Sequence, residues 1–251
     1  MNGLFKDVGV VLLSAGRGTR LNCEDNSKSM LKIGERPLLS YIIETLEKAS
    51  VPSENIFIVV GFCKEKIMEY FGARANYVEQ AELLGTAHAA YLGIKAMPQN
   101  LTAALTLNGD DCAFYKWNAL ENLVRRHKES KAVLSLLSVE SDSPEIYGRV
   151  ARHNGFFEII EKEYLTEEQK KIKEISTGTF CLERFWFEKI FPTMRQMKKL
   201  GKFGEYGLPA AVAIANNESA KTEVIKLEDN QEWFGINTPA ELIEANKRKV
   251  F

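Results

Sequence analysis

A glycine-rich loop with two arginines is the segment best suited to chemistry. It comprises Leu13-Ser14-Ala15-Gly16-Arg17-Gly18-Thr19-Arg20-Leu21, and Lys28 follows eight residues after Arg20. Glycines let the backbone turn tightly and point N–H groups inward, where they bind phosphate oxygens. Arg17 and Arg20 add positive charge, and a guanidinium can bind a phosphate through two parallel hydrogen bonds. The loop therefore indicates a phosphate site.

Two better-known phosphate motifs do not fit this loop. The dinucleotide fingerprint G-x-G-x-x-G needs glycine where this chain has Leu21, and the G-K-[ST] sequence of a P-loop is absent. By itself the segment is also compatible with a glycine turn that merely exposes basic side chains. The elements around it decide what it can position.

Strand and helix patterns alternate before residue 140. The apolar run 8–13 is typical of a strand buried on both faces, and Pro37 precedes apolar residues at helical spacing. Further strands are predicted at 56–60, from 77, at 103–107 and at 132–139, and helices at 64–71, 86–96 and 116–129. This alternation predicts a mostly parallel sheet covered on both faces.

The alternation is less regular after residue 140. Antiparallel strands are predicted at 149–151, 156–161 and 177–182, helices at 184–198 and 208–216, and a last strand at 222–227. Thr238 can cap a final helix with Pro239 at its first position. Because no linker or repeat interrupts the chain, we expect one domain over 1–251 with two lobes, 1–140 and 141–251.

Composition excludes several classes of protein. A net charge of -1 and a pI near 6.4 give little electrostatic support for binding nucleic acid or an anionic membrane. The four cysteines form no C-x-x-C pair, which favours neither zinc nor disulfides and fits a reducing compartment. The apolar run 8–13 is too short to span a membrane. We therefore expect a cytoplasmic enzyme.

The loop and the residues after it resemble the N-terminal signature of the sugar-nucleotide pyrophosphorylases, a family of nucleotidyltransferases. LSAGRGTRL and SKSMLKIGERPLL are similar to L-[AG]-[AG]-G-x-G-T-R-[LM], P-K-x-[ML] and G-[KR]-P-[LM], with Ser27 in place of the proline before Lys28. Within the family, the chain is most similar to the N-acetylglucosamine-1-phosphate uridyltransferases.

Further motifs continue the resemblance in chain order. Those similar to family motifs are Gln80 to Ala89 (Q-x-x-x-L-G-T-[GA]-H-A), Asn108-Gly109-Asp110 (G-D), Tyr147-Gly148-Arg149 (Y-G-R), Ile159-Ile160-Glu161 (I-V-E), Glu174-Ile175-Ser176-Thr177-Gly178 (E-I-N-T-G) and Gly235-Ile236-Asn237 (G-V-N). The resemblance implies a Rossmann-like (GT-A-like) α/β fold with a mixed, mostly parallel sheet, helices on both faces and a smaller sugar-binding lobe.

The resemblance also implies a role for each matched residue. Arg20 and Lys28 would be catalytic. The nucleotide would be bound by Leu13, Ser14, Ala15, Gly16, Arg17, Gly18, Thr19, Gln80, Gly85 and Thr86, with Gln80 at the edge of the base. The sugar phosphate would be bound by Asn108, Gly109, Gly148, Glu161, Ser176 and Thr177. Asp110 and Asn237 would bind Mg²⁺. Asp111 is the rival metal ligand, and His88 is expected to anchor a loop.

The implied reaction joins a nucleoside triphosphate to a sugar 1-phosphate and releases pyrophosphate. Because a phosphate dianion approaches a triphosphate, the site must supply positive charge and alignment, and Mg²⁺ needs few protein ligands there. UTP and N-acetylglucosamine 1-phosphate are the expected substrates. Ser176 replaces an asparagine of the family and has a shorter reach and one donor fewer, which leaves the sugar open.

Three alternatives follow from the same resemblance. The enzyme would use dTTP with glucose 1-phosphate, or CTP with phosphocholine, or the chain would be a silent regulatory subunit. Retention of Arg20, Lys28, Asp110 and Asn237 argues against the silent form. We expect a monomer or small homo-oligomer. No hexapeptide period is present, so we expect no acetyl-transfer activity of the kind found in bifunctional relatives.

Overall fold

The structure, a computed structural model, describes residues 3–18, 21, 26–196 and 205–248. The strands are β1 (Val8–Ser14), β2 (Lys32–Ile33), β3 (Arg36–Pro37), β4 (Ile56–Val60), β5 (Asn76–Glu79), β6 (Ala103–Asn108), β7 (Leu134–Glu140), β8 (Arg149–Arg152), β9 (Phe157–Ile160), β10 (Glu174–Glu183) and β11 (Thr222–Lys226). The α-helices are α1 (Leu38–Lys48), α2 (Lys64–Phe71), α3 (Thr86–Ala96), α4 (Trp117–Ser130), α5 (Arg184–Gln196), α6 (Ala210–Asn217) and α7 (Pro239–Lys247).

The main sheet has the strand order β11-β7-β10-β6-β1-β4-β5. Strands β6, β1, β4 and β5 pair in parallel, and β11 pairs in parallel with β7. Strand β10 runs antiparallel to both β6 and β7, and β8 and β9 extend the sheet beside β10. The predicted mixed, mostly parallel sheet is confirmed.

Helices cover both faces of the sheet because β1 buries alternate residues on opposite sides. Val8, Val10 and Leu12 belong to one core with the apolar faces of α1, α2 and α4. Val11 belongs to a second core with α3, α5 and α6. Among the described residues, no helix combines the length and the apolar character that crossing a membrane requires.

The predicted elements agree with the structure in type and order, and their ends shift by a few residues. The largest shift is in β10, which begins at Glu174 rather than at residue 177. Its pairing with β7 changes register between Ser176 and Phe180, and Gly178 lies there with a φ of +75°. The missed residues 174–176 precede this change of register and pair with β7, and Ile175 also pairs with β8. The predicted end of the α5 helix at 197–198 lies outside the described residues.

Gly93 allows α3 to lie directly against the sheet. A Cβ atom at this position would lie 2.4 Å from Val11 Cγ1 and 3.1 Å from Val59 Cγ2. Both neighbours are buried, β-branched side chains with little rotamer freedom. The close approach of α3 to β1 and β4 therefore depends on the missing side chain.

We predict that Gly93→Ala destabilises the protein, although alanine favours a helix by about 1 kcal/mol over glycine. Overpacking costs about 1–3 kcal/mol, so the guanidinium unfolding midpoint should fall. The double variant Val11→Ala/Gly93→Ala should recover part of the loss, because the methyl group that clashes is removed. An unchanged or raised midpoint for Gly93→Ala would contradict this account of the packing.

Candidate active site

A cleft of about 710 Å³ lies at the edge of the sheet where the parallel strands end. The predicted site residues that line it are Leu13, Ser14, Ala15, Gly16, Arg17, Gly18, Lys28, Gln80, Gly85, Thr86, Asn108, Asp110, Gly148, Glu161, Ser176, Thr177 and Asn237. Thr19 and Arg20 lie outside the described residues. Segments that are more than 200 positions apart in the chain thus share one cavity.

The ends of β1 and β6 meet closely at the floor of the cleft. The Gly109 N–H donates to the Leu13 carbonyl at 2.9 Å, which extends the parallel pairing by one step beyond β6. A Cβ atom on Gly109 would lie 2.2 Å from Ser14 Oγ. A side chain at this position would have to displace the Ser14 hydroxyl, so Gly109 takes part in the site through its backbone.

Lys28, Asp110 and Asn237 meet in the cleft. The Lys28 ammonium donates to Asp110 Oδ2, and it also donates to Asn237 Oδ1 at 3.1 Å. Only 13% of the Lys28 side chain and 28% of the Asp110 side chain are exposed. One cation is thus held by a carboxylate oxygen and an amide oxygen that come from distant parts of the chain.

The N-terminus of α7 holds Asn237 in place. Thr238 caps the helix by accepting a hydrogen bond from the Glu241 N–H at 3.2 Å. The Glu241 carboxylate in turn accepts the Asn237 N–H at 2.7 Å. This arrangement is a variant of the capping box in which the Glu241 carboxylate accepts the N–H of the residue before the N-cap, and it fixes the backbone of the residue that enters the cleft. The predicted cap at Thr238 is confirmed.

The pair Asp110 and Asn237 fits a divalent cation. Their oxygens already converge on one ammonium, and oxygen is the ligand that Mg²⁺ prefers. Among the described residues, no group of three or more His, Cys, Asp or Glu side chains could hold a metal ion. A site with one carboxylate and one amide oxygen suits Mg²⁺, which takes its other ligands from phosphates and water.

Asp111 is less suited than Asp110 to bind a cation. It is 9% exposed, and its Oδ2 accepts from Asn108 Nδ2 at 3.2 Å. Burial first, and the neighbouring charge of Asp110 second, raise the pKa of Asp111 well above its ordinary range. One Asp111 oxygen thus already accepts from Asn108, whereas Asp110 Oδ2 contacts a cation, the Lys28 ammonium, and this geometry favours Asp110.

Gln80 and His88 stabilise the turn before α3. Gln80 is 4% exposed, and its Nε2 donates to the Gly85 carbonyl at 3.1 Å and lies 3.1 Å from His88 Nδ1. This arrangement agrees with the expected anchoring role of His88. The contact of Gln80 with a base remains a prediction, since the structure shows that its amide nitrogen already supports the turn.

Residues after 204 pack onto this turn through the backbone. The Tyr206 N–H donates to the Leu84 carbonyl at 2.8 Å, and the Ala87 N–H donates to the Tyr206 carbonyl at 2.9 Å. The hydroxyl of Thr86 accepts the Leu208 N–H at 2.9 Å. The region 205–208 is therefore joined to the predicted nucleotide turn at Gly85 and Thr86.

The loop before β8 and the strand β9 also line the cleft. Arg149 is 3% exposed, and its guanidinium donates to the carbonyls of Pro144 and Tyr147. It thereby fixes the loop that presents Gly148. Glu161 Oε2 lies 3.6 Å from the position of a Cβ atom on Gly148, and burial, followed by the nearby Glu163 charge, raises the pKa of Glu161. Glu161 is thus part of the cleft wall.

Three further predicted residues have protein partners. The Thr177 hydroxyl donates to the Leu137 carbonyl at 2.7 Å and is buried. Ser176 Oγ accepts the Gly178 N–H at 3.2 Å. Asn108 Nδ2 donates to Asp111, as described above. These contacts give Thr177 and Asn108 structural roles beside the cleft, and their contacts with a sugar remain predictions.

Arg17 is exposed and lines the cleft within the glycine loop. Its guanidinium lies 5.5 Å from the centroid of the Phe62 ring, a distance at which cation–π attraction operates. Phe62 itself is held by a hydrogen bond from its N–H to the Ala15 carbonyl. The arginine therefore has a defined position next to the glycine loop.

Several lining residues were not assigned a role by the sequence motifs. Ile146 and Leu83 line the cleft and are 44% and 37% exposed, while Trp233 is nearly buried beside Tyr147 with ring centroids 5.1 Å apart. Trp233 lies two residues before Gly235, so its proximity to a motif was the available signal. Leu83 lies within the motif from Gln80 to Ala89 and Ile146 directly precedes the motif Tyr147-Gly148-Arg149, so the same signal was available for them, although neither is a matched position.

Comparisons with known proteins show the family to which the chain belongs. Residues 9–249 match the protein family described as "Nucleotidyl transferase". Similar proteins include the "Bifunctional protein GlmU" of Caldicellulosiruptor saccharolyticus, 33% identical over 94% of this chain and 50% of the relative. Another is that of Symbiobacterium thermophilum, 31% identical over 97% of this chain and 51% of the relative. The chain thus spans about half the length of the curated relatives it matches.

The fold also has a match among solved structures. A crystal structure from Bacillus anthracis, named as a glucose-1-phosphate thymidylyltransferase in complex with sucrose, superposes with a TM-score of 0.74. It is 19% identical, and the match covers 96% of this chain and 94% of that one. The likeness extends the agreement to the whole arrangement of sheet and helices.

We predict that Gly85→Ala loosens the contact between the nucleotide turn and residues 205–208. Gly85 has a φ of +103°, and a Cβ atom would lie 2.6 Å from the Tyr206 carbonyl oxygen. The amides of Tyr206 and Ala87 should therefore exchange with deuterium about tenfold faster or more, since strain and clash each cost of order 1 kcal/mol.

Gly155→Ala is the matched control for this variant. Gly155 has a φ of +86°, yet no atom lies within 4 Å of its Cβ position. A side chain there also has a strained positive φ but meets no clash, and exchange at Tyr206 and Ala87 should not change. Equal protection of these amides in Gly85→Ala and wild type would show that the contact does not depend on glycine.

Proposed function

The chain belongs to the nucleotidyl transferase family, and we propose that it joins a nucleoside triphosphate to a sugar 1-phosphate with release of pyrophosphate. The observation that supports this most is the contact of Lys28 with both Asp110 and Asn237 in one cleft. The glycine loop and the loop of Gly148 line the same cleft. Two phosphate-bearing substrates could therefore share one cleft that contains a cationic side chain.

The proposed chemistry needs no protein base. An ionised phosphate oxygen of the sugar 1-phosphate attacks the α-phosphorus, the new P–O bond forms, and the bond to pyrophosphate breaks. Lys28 donates hydrogen bonds to the transferring phosphate, and the N–H groups of the glycine loop bind the departing phosphates. Mg²⁺ held by Asp110 and Asn237 would supply further positive charge when bound. Arg17 would add charge beside the pyrophosphate, and the resemblance alone assigns the same role to Arg20, which lies outside the described residues.

We propose UTP as the donor and N-acetylglucosamine 1-phosphate as the acceptor. The motif from Gln80 to Ala89 supports UTP through its resemblance to the uridyltransferases, and relatives named GlmU support the same pair. Glu161 and the loop of Gly148 offer a carboxylate and a backbone that could bind sugar hydroxyl groups. Ser176 is the departure that leaves room for a different acceptor.

A second candidate pair is dTTP with glucose 1-phosphate. It is favoured by the name of the solved structure with the same fold. Both pairs use the same cleft and the same charge arrangement, so the proposed reaction does not depend on the choice. The specificity for the base and for the sugar depends instead on the side chains that contact each of them.

A matrix of triphosphates against sugar 1-phosphates tests the proposal. We predict Mg²⁺-dependent pyrophosphate release that is greatest for UTP with N-acetylglucosamine 1-phosphate, because the base turn is closest to the uridyltransferase pattern. Release is measured with a coupled phosphate assay after pyrophosphatase treatment. A maximum for dTTP with glucose 1-phosphate would favour the second pair, and no release with any pair would reject the enzymatic function.

We predict that Asp110→Asn lowers the rate of pyrophosphate release by about 10²-fold or more, since the only ionised group of the proposed metal pair is lost. The measurement is kcat/KM at limiting Mg²⁺, with circular dichroism to confirm folding.

The control is Asp142→Asn. The Asp142 side chain is 98% exposed and pairs only at the surface with Lys173, at 3.3 Å. Its rate should equal that of wild type. A near-native rate for Asp110→Asn at limiting Mg²⁺ would remove Asp110 from the proposed metal site.

A further inference from the structure

The Lys28 ammonium contacts both residues that are proposed to hold the metal. It donates to Asp110 Oδ2 and to Asn237 Oδ1 at the same time. Its side chain is only 13% exposed, so the ammonium is enclosed in the cleft rather than extended into solvent. The Lys28 ammonium and the proposed metal ion therefore compete for the same two residues, Asp110 and Asn237.

Lys28 can leave these oxygens without a change of fold. It begins a short 3-10 helix, Lys28–Met30, whose next residue, Ser29, is buried. Ser27 is also buried, and its hydroxyl lies 2.9 Å from that of Ser29. The backbone on both sides of Lys28 is thus fixed, while its four-carbon side chain can rotate. Only the ammonium has to move.

The free-energy cost of moving the Lys28 ammonium away from Asp110 depends on whether a triphosphate is bound in the cleft. Without substrate, moving the ammonium would leave a partly buried carboxylate and a partly buried ammonium without their partner, which is unfavourable. When a triphosphate enters the cleft, its oxygens offer the ammonium a new anionic partner. Phosphate and metal together therefore satisfy both groups, whereas metal alone satisfies only Asp110.

We propose that Lys28 occupies the divalent-cation site of the free protein and closes it to metal until a triphosphate arrives. This inference rests on the proposed function through the assignment of Asp110 and Asn237 to the metal. Lys28 then moves from Asp110 to the phosphates and reaches its catalytic position only in the loaded cleft. Binding of metal and of triphosphate is consequently coupled, and each raises the affinity for the other.

The experiment measures Mn²⁺ binding to the protein alone, without any nucleotide. The electron paramagnetic resonance signal of free Mn²⁺ gives the dissociation constant for wild type, Lys28→Met and Lys28→Gln. We expect both variants to bind Mn²⁺ about tenfold or more tightly than wild type, because a competing occupant and its repulsive charge are removed. Two variants are used so that the result does not depend on the folding of one.

Three controls separate this effect from a general change of charge. Lys32→Met removes an exposed lysine four positions further along and should bind Mn²⁺ as wild type does. Lys28→Arg keeps a cation at the site and should remain weak. Adding Asp110→Asn to Lys28→Met should abolish the gain, because the carboxylate is the shared ligand.

The result that overturns the proposal is Mn²⁺ binding by Lys28→Met and Lys28→Gln that is no tighter than that of wild type. A gain that survives Asp110→Asn would overturn it as well, since the metal would then bind elsewhere. The measurement uses no substrate, so it can fail while pyrophosphate release is observed. It can also succeed if the substrate matrix shows no activity, and the two hypotheses are therefore separately testable.

Discussion

The parallel pairing of β1 with β6 is the interaction on which the cleft depends. It places Leu13 opposite Asn108, so the glycine loop and the acidic turn leave the sheet side by side. Gly109 extends this contact through its bond to the Leu13 carbonyl, and a Cβ atom at this position would lie 2.2 Å from Ser14 Oγ. Because parallel strands end at the same edge, the predicted phosphate loop and Asp110, the proposed metal ligand, lie close together.

The second half of the chain contributes further residues to the cleft from β10 and from the start of α7. Strand β10 runs antiparallel between β6 and β7 and carries Ser176 to the cleft wall. The capping box at the start of α7 then brings Asn237 to the same cation as Asp110. The site is therefore shared between a sheet edge and a helix terminus, and each is rigid because its backbone groups are paired.

Prediction from the sequence was most accurate for helix and strand positions, which are determined by the local pattern of residue types. The ends of α2 and α3 were predicted to the residue because apolar spacing and the preceding turn both define them. It was less successful for polar side chains such as Gln80 and Thr177, whose present partners are the Gly85 and Leu137 carbonyls. A motif shows that such a residue belongs to the site, but its hydrogen bonds depend on tertiary neighbours.

The contact of Lys28 with Asp110 could not be read from either motif, since each motif assigns its residue to a substrate or a metal. It follows from the energetics of the free protein. A cleft built to bind phosphates and a cation must hold charged groups before either arrives, and partly buried charges without partners are costly. Pairing Lys28, the proposed catalytic cation, with Asp110, the proposed metal ligand, removes that cost. Under the proposed function, substrate and metal would replace both partners together, so that the charges of Lys28 and Asp110 become available at the same step.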